Sequence, residues 1–182
     1  MILADFMWET DLVLWFYSIH NCVLDPLMKS VSLFASAGFI WILISLAIFC
    51  FSKSNRKNAM IPVISLFIAL LLADFIIKPY VSRVRPFEEL DLNLIIPIPT
   101  TSSFPSGHTA SSFAAACSLF LIKRRWGVYG FIFASLVGIS RVYLSVHWPT
   151  DVIAGAIIGI VVAIIIYKSF DYFSVYLSER QS

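Results

Sequence analysis

Charge is scarce in this chain: Asp, Glu, Lys and Arg make up 13% of its 182 residues, where a soluble globular domain carries about 25%. Hydrophobic residues fill 59% instead. These proportions exclude both an ordinary soluble domain and a disordered chain. An excess of one sign is also lacking, since thirteen Lys and Arg against eleven Asp and Glu leave a net charge of +2. That is too small and too dispersed for the basic footprint of a nucleic-acid binder. Cysteine is limited to Cys22, Cys50 and Cys117, an odd number in apolar surroundings that offers neither a disulfide framework nor a zinc spacing. The first ten residues lack the basic start of a secretory leader, and Asp5 and Glu9 interrupt any apolar core there, so no cleaved signal is expected.

What the chain has in abundance is long uncharged apolar runs: Val31 to Phe51, Met60 to Ile77, Phe104 to Ile122, Trp126 to Tyr143 and Val152 to Tyr172. One bilayer crossing takes roughly 20 such residues, so the expected fold is all-α, a polytopic membrane bundle of five transmembrane helices. Residues 1–30 read as an N-terminal amphipathic, interfacial segment, and residues 31–182 as the membrane domain. Leu12 to Tyr17 is apolar, but Asp11, His20, Asn21 and Asp25-Pro26 bracket it too closely for a full span. A sixth crossing by residues 12 to 30 is the alternative, and it would reverse the side of the N-terminus. No repeat or low-complexity stretch is present.

The basic residues set the orientation. Lys53, Arg56 and Lys57 stand together without an acid, as do Lys123, Arg124 and Arg125, so both connections are expected on the cytoplasmic side. The connections Lys78 to Phe104 and Arg141 to Asp151 then lie on the opposite face, together with an N-terminus carrying Asp5, Glu9, Asp11 and Asp25. The C-terminus falls inside.

That outer face collects the polar residues a bilayer protein avoids, and ionisable groups at membrane depth are functional candidates. Three blocks carry them. In Lys78-Pro79-Tyr80-Val81-Ser82-Arg83-Val84-Arg85-Pro86, Arg85 can offer a planar fork to phosphate oxygens and Lys78 a compact charge. The plainer reading is a set of basic residues reaching for the headgroups, with Asp74 pairing Lys78 one turn away. In Phe104-Pro105-Ser106-Gly107-His108-Thr109, a glycine and a helix N-terminus can approach an anion, Ser106 adds a hydroxyl and His108 can carry a proton. The plainer reading is a capped helix. In Ser140 to Asp151, Asp151 lies one turn beyond His147 and can fix its tautomer, which leaves the other ring nitrogen free as a nucleophile; a simple helix cap is the alternative. Gly155 and Gly159 share the Asp151 face of the last span and suit close helix packing.

In this order and at these helix ends, the three blocks resemble the signature of the type 2 phosphatidic acid phosphatase superfamily, membrane lipid phosphatases whose site is related to that of vanadium haloperoxidases. The resemblance implies that His147 attacks phosphorus, Asp151 orients it, and His108 protonates the leaving oxygen and then activates water. It also implies that Lys78, Arg85, Arg141, Ser106 and Gly107 hold the phosphoryl oxygens. No metal or other cofactor is expected, since no carboxylate set is spaced for magnesium. The implied substrate is a membrane lipid phosphate presented at the extracytoplasmic face of a bacterial plasma membrane. Undecaprenyl diphosphate comes first, with phosphatidylglycerophosphate, phosphatidic acid and lipid A as alternatives. The rival class is a non-enzymatic lipid-binding or transport protein, which would need the cations but not the spacing of His147 and Asp151. A haloperoxidase-like activity on soluble substrates is disfavoured by a chain committed almost wholly to the membrane.

Overall fold

A backbone in lipid must satisfy its own N–H and C=O groups, and the long apolar runs accordingly become helices. The computed structural model describes residues 7–180; Asp5, counted above among the outer-face acids, lies outside the described residues. Nine α-helices follow one another among the described residues, with no strand. They are α1 (Met7–Ser18), α2 (Leu24–Ala35), α3 (Phe39–Phe51), α4 (Ile61–Leu71), α5 (Lys78–Val81), α6 (Pro86–Glu89), α7 (Gly107–Ile122), α8 (Arg124–Tyr143) and α9 (Pro149–Glu179).

Helix α7 is the axis of the bundle, packed against α4, α8 and α9. Its buried residues are mostly small, among them Ala110, Ser111, Ser112, Ala114, Ala115, Ala116 and Ser118, which keeps the helix thin and lets its neighbours approach closely. Helix α9 exploits this most. A Cβ added at Gly155 would stand 2.6 Å from the Ser106 carbonyl oxygen, and one at Gly159 would stand 2.3 Å from that of Ala110. Both glycines therefore serve the close packing expected of them. The outer surface is apolar, with Leu33, Leu46, Phe75, Ile157 and Ile165 among its exposed side chains, as a lipid-facing surface requires.

Among the described residues, three helical segments can cross a membrane by length and composition: Arg56–Glu89, Arg124–Tyr143 and Pro149–Ser174. The pair α2 and α3 makes a fourth if it acts as one bent span. Helix α7 has 16 residues and is shorter than these.

The run from Val31 to Phe51 is not the single straight helix expected. It starts earlier, at Leu24, and bends by 55° between α2 and α3. Gly38 causes the break: its φ is 73°, and a Cβ there would come within 2.5 Å of Leu66 Cδ1, so this left-handed position next to α4 needs a residue without a side chain. The run from Met60 also extends beyond Ile77, passing from α4 through a π-helical stretch (Leu72–Ile77) into α5. Such stretches are frequent at functional sites, and this one carries Asp74. The last helix begins at Pro149 rather than Val152, where proline suits the first turn. At the N-terminus α1 packs on α8 and α9, burying Glu9 and Val13 while Trp15 stays exposed.

Candidate active site

The ends of α4/α5, α7, α8 and α9 meet at one face, and the loop from Ser82 to Ser106 folds over them. Arg85 stitches that loop down. Its Nε donates to the Thr101 carbonyl at 2.7 Å and its Nη1 to the Val146 carbonyl at 2.6 Å. Its backbone amide donates to Glu88 Oε2 at 3.3 Å at the start of α6. The Phe87 amide donates to the Ser145 carbonyl at 3.1 Å, so the same loop is also fastened to the α8–α9 connection.

Lys78, Arg85 and Arg141 are all buried and lie within electrostatic reach of one another. His108 lies within reach of these three and of His147. The Lys78 ammonium is 2.6 Å from Asp74 Oδ1, so the expected pair with Asp74 forms. Three buried cations with so little counter-charge repel one another and lose hydration, and a bound anion relieves both costs. Arg141 directs one Nη1 at the Ser32 hydroxyl, while its buried Nε has no hydrogen-bond partner among the described residues. An unpaired buried donor of this kind is costly unless an acceptor arrives.

His147 sits in the short connection before α9, 2% exposed. Burial, assisted by the charges of Arg141 and Arg85 and opposed by Asp151, pushes its imidazole down to about 3. The ring is therefore neutral at physiological pH and can act as a nucleophile. Its Nδ1 is 3.6 Å from Asp151 Oδ2, aligned with the carboxylate but longer than a hydrogen bond. Asp151 is held from other sides: Oδ2 accepts from the Ser103 hydroxyl and, at 2.8 Å, from the Trp148 amide, and Oδ1 pairs with Arg83 at 2.7 Å.

Ser106 caps α7, its hydroxyl accepting from Thr109 N at 3.4 Å and from Thr109 Oγ1 at 2.9 Å. Its amide donates to the Asp151 carbonyl at 3.0 Å, which locks the starts of α7 and α9 together. Gly107 is constrained by more than an approaching anion, because a Cβ there would stand 2.6 Å from Asp74 Oδ1. The eight residues singled out in the sequence thus converge at one end of the bundle. Arg85 also has a structural duty the sequence did not suggest, holding loop carbonyls, and Ser106 makes the helix cap given above as the plainer reading.

Other residues were missed. Ser36 Oγ lies 3.2 Å from His108 Nε2 and donates to the Ser32 carbonyl at 3.0 Å; with Ser32 on Arg141, α2 reaches the site twice. Serines in an apolar run give no signal of this in a single sequence. Arg83 stands in the first block of candidates without an assigned role, and Glu9, 2.7 Å from it, reads in the sequence only as an outer-face acid.

The family model of the PAP2 superfamily matches residues 58–174. An undecaprenyl-diphosphatase of Sulfolobus acidocaldarius is 38% identical over 123 residues, 66% of this chain and 59% of that protein. The chain therefore aligns with somewhat under two thirds of that relative's length. Undecaprenyl-diphosphatase BcrC of Bacillus subtilis is 29% identical over 154 residues, 85% of this chain and 79% of that one. The crystal structure of Aquifex aeolicus LpxE superposes with a TM-score of 0.76 at 29% identity, covering 92% of this chain and 99% of that one. With the family model matching residues 58–174, the chain belongs to the PAP2 superfamily.

Proposed function

We propose that the protein is an integral-membrane lipid phosphatase that removes the terminal phosphate of undecaprenyl diphosphate through a phosphohistidine at His147. The observation that carries this reading is the buried imidazole of His147, its Nδ1 3.6 Å from Asp151 Oδ2, beside three buried cations. With a proton on Nδ1 facing the carboxylate, Nε2 attacks phosphorus. A P–N bond forms, the P–O bond to the lipid phosphate breaks, and the leaving oxygen takes a proton from His108. Water, deprotonated by His108, then hydrolyses the P–N bond and releases inorganic phosphate. Lys78, Arg85 and Arg141, with the Ser106 hydroxyl and the Gly107 amide, stabilise charge on the equatorial oxygens, which is the main demand of phosphoryl transfer. No step in this sequence calls on a metal ion.

The substrate choice is supported by the names of the two relatives, both undecaprenyl-diphosphatases, and by an apolar exterior that keeps a prenyl chain in lipid. Five crossings fit the topology. The bent pair α2 and α3 counts as one, and α7 crosses although it rises only about 24 Å, because α4, α8 and α9 shield it from lipid. The positive-inside pattern then sets the site on the extracytoplasmic face of the plasma membrane and the C-terminus in the cytoplasm. On this reading the membrane domain begins with α2 at Leu24, ahead of the boundary at residue 31 expected from the sequence. The test is phosphate release in detergent from undecaprenyl diphosphate, phosphatidylglycerophosphate, phosphatidic acid and lipid A, with His147→Ala as control. Release fastest from undecaprenyl diphosphate and lost in the variant is expected. Preference for another lipid overturns the substrate, and full release by His147→Ala overturns the mechanism.

A further inference from the structure

We propose that Arg83 and Glu9 are a positioning pair for Asp151, through which helix α1 sets the aim of His147; the inference rests on the roles of His147 and Asp151 given above. Asp151 Oδ2 faces the imidazole at 3.6 Å, so its usefulness depends on how the carboxylate is rotated. Arg83 fixes that rotation by taking the other oxygen, Oδ1, at 2.7 Å. It acts a second time through its backbone, because the Arg83 carbonyl accepts from the Ser103 amide at 2.8 Å and Ser103 donates its hydroxyl to Asp151 Oδ2.

Arg83 is itself tightly held. Nη2 donates to Glu9 Oε2 at 2.7 Å, Nη1 donates to Thr150 Oγ1 at 2.7 Å, and the guanidinium lies 5.2 Å from the Trp148 ring centroid. Glu9 Oε1 completes a ring by accepting from the Thr150 amide at 2.9 Å and the Thr150 hydroxyl at 2.7 Å. Glu9 is 1% exposed and Asp151 is 0% exposed, and carboxylates are almost never buried so deeply without a partner.

The charge count gives the ring a catalytic meaning. Arg83 paired with Asp151 alone would be neutral and would offer little to an imidazole that becomes cationic. Glu9 shares the same guanidinium, so the group of two carboxylates and one cation is itself negative and opposes the positive charges of Arg85 and Arg141 as His147 takes on phosphorus. A planar fork can bridge both carboxylates at once, which a lysine ammonium cannot do in the same geometry.

The experiment measures kcat and KM for Glu9→Gln, Arg83→Lys, Asp151→Asn and the two double variants with Asp151→Asn, on undecaprenyl diphosphate in detergent with monodisperse protein. Each single change at Glu9 or Arg83 should lower kcat about tenfold with KM nearly unchanged, and should cost much less in the Asp151→Asn background, as coupled residues do. Wild-type kcat in both single variants, losses that multiply fully with Asp151→Asn, a loss confined to KM, or failure of both variants to fold would each overturn the positioning role. Full turnover by Asp151→Asn would instead overturn the reading of the site on which it rests.

Discussion

Ser36 Oγ lies 3.2 Å from His108 Nε2 while donating its single proton to the Ser32 carbonyl at 3.0 Å. The contact holds the His108 ring by Nε2, with donor and acceptor roles that follow the ring's protonation. The break between α2 and α3 thus orients the ring of the proposed acid. Ser36→Ala should lower kcat by about two- to tenfold, the worth of one neutral hydrogen bond, with little change in KM. Steady-state kinetics on undecaprenyl diphosphate check this, and an unchanged kcat would remove Ser36 from the account.

Gly159 tests the close packing that locks α9 to α7. A methyl group there would meet the Ala110 carbonyl oxygen at 2.3 Å, so the helices must separate. Gly159→Ala should destabilise the protein by about 1–3 kcal/mol, as overpacking of a filled interior does, and lower its melting temperature in detergent. Activity should fall too, because α9 carries Asp151 and α7 carries His108. An unchanged melting temperature would mean that the two helices are not held at this distance.

Burial of His147 makes stability depend on pH. Its imidazole is held at about 3 in the fold, against an ordinary value of 6.5, so between these values the unfolded chain binds a proton that the folded chain does not. This contribution to stability is complete above about 6.5 and is lost as pH falls toward 3. Melting temperature measured across that range should decline, and His147→Gln, which cannot take up the proton, should decline less steeply. Parallel curves for the two proteins would contradict a buried neutral ring.

Much of the site was legible in the sequence because its chemistry is tied to rare residues. In a chain with three histidines and thirteen basic residues, His108, His147, Lys78, Arg85 and Arg141 at span ends stand out. The pairing of Asp74 with Lys78 was likewise readable from helical spacing. The bend at Gly38 was hidden because the run around it is apolar throughout, and hydropathy cannot separate a bent helix from a straight one. Ser32 and Ser36 were hidden because a serine's role depends on what faces it across the bundle. Glu9 looked like an orientation charge, since nothing near it in sequence reveals a partner 74 residues away. Arg85 was identified, but its loop bonds depend on backbone atoms that side-chain patterns do not describe.

In the mechanism proposed above, the three buried cations do the electrostatic work a divalent metal does elsewhere, and no step calls on one. Exhaustive dialysis against EDTA should therefore leave the rate of phosphate release unchanged. Loss of activity restored by added magnesium would show that the charge stabilisation comes from a metal.

The central claim is that phosphorus is bonded to His147 during turnover. Rapid quench into alkaline detergent with substrate labelled in its terminal phosphate, followed by peptide mapping above neutral pH, tests it most directly. The account predicts an acid-labile, base-stable phosphoenzyme at His147, absent in His147→Ala and longer-lived when His108 is replaced by alanine. Turnover in the wild-type protein with no trapped intermediate under rapid quench, or label retained in His147→Ala, would contradict it.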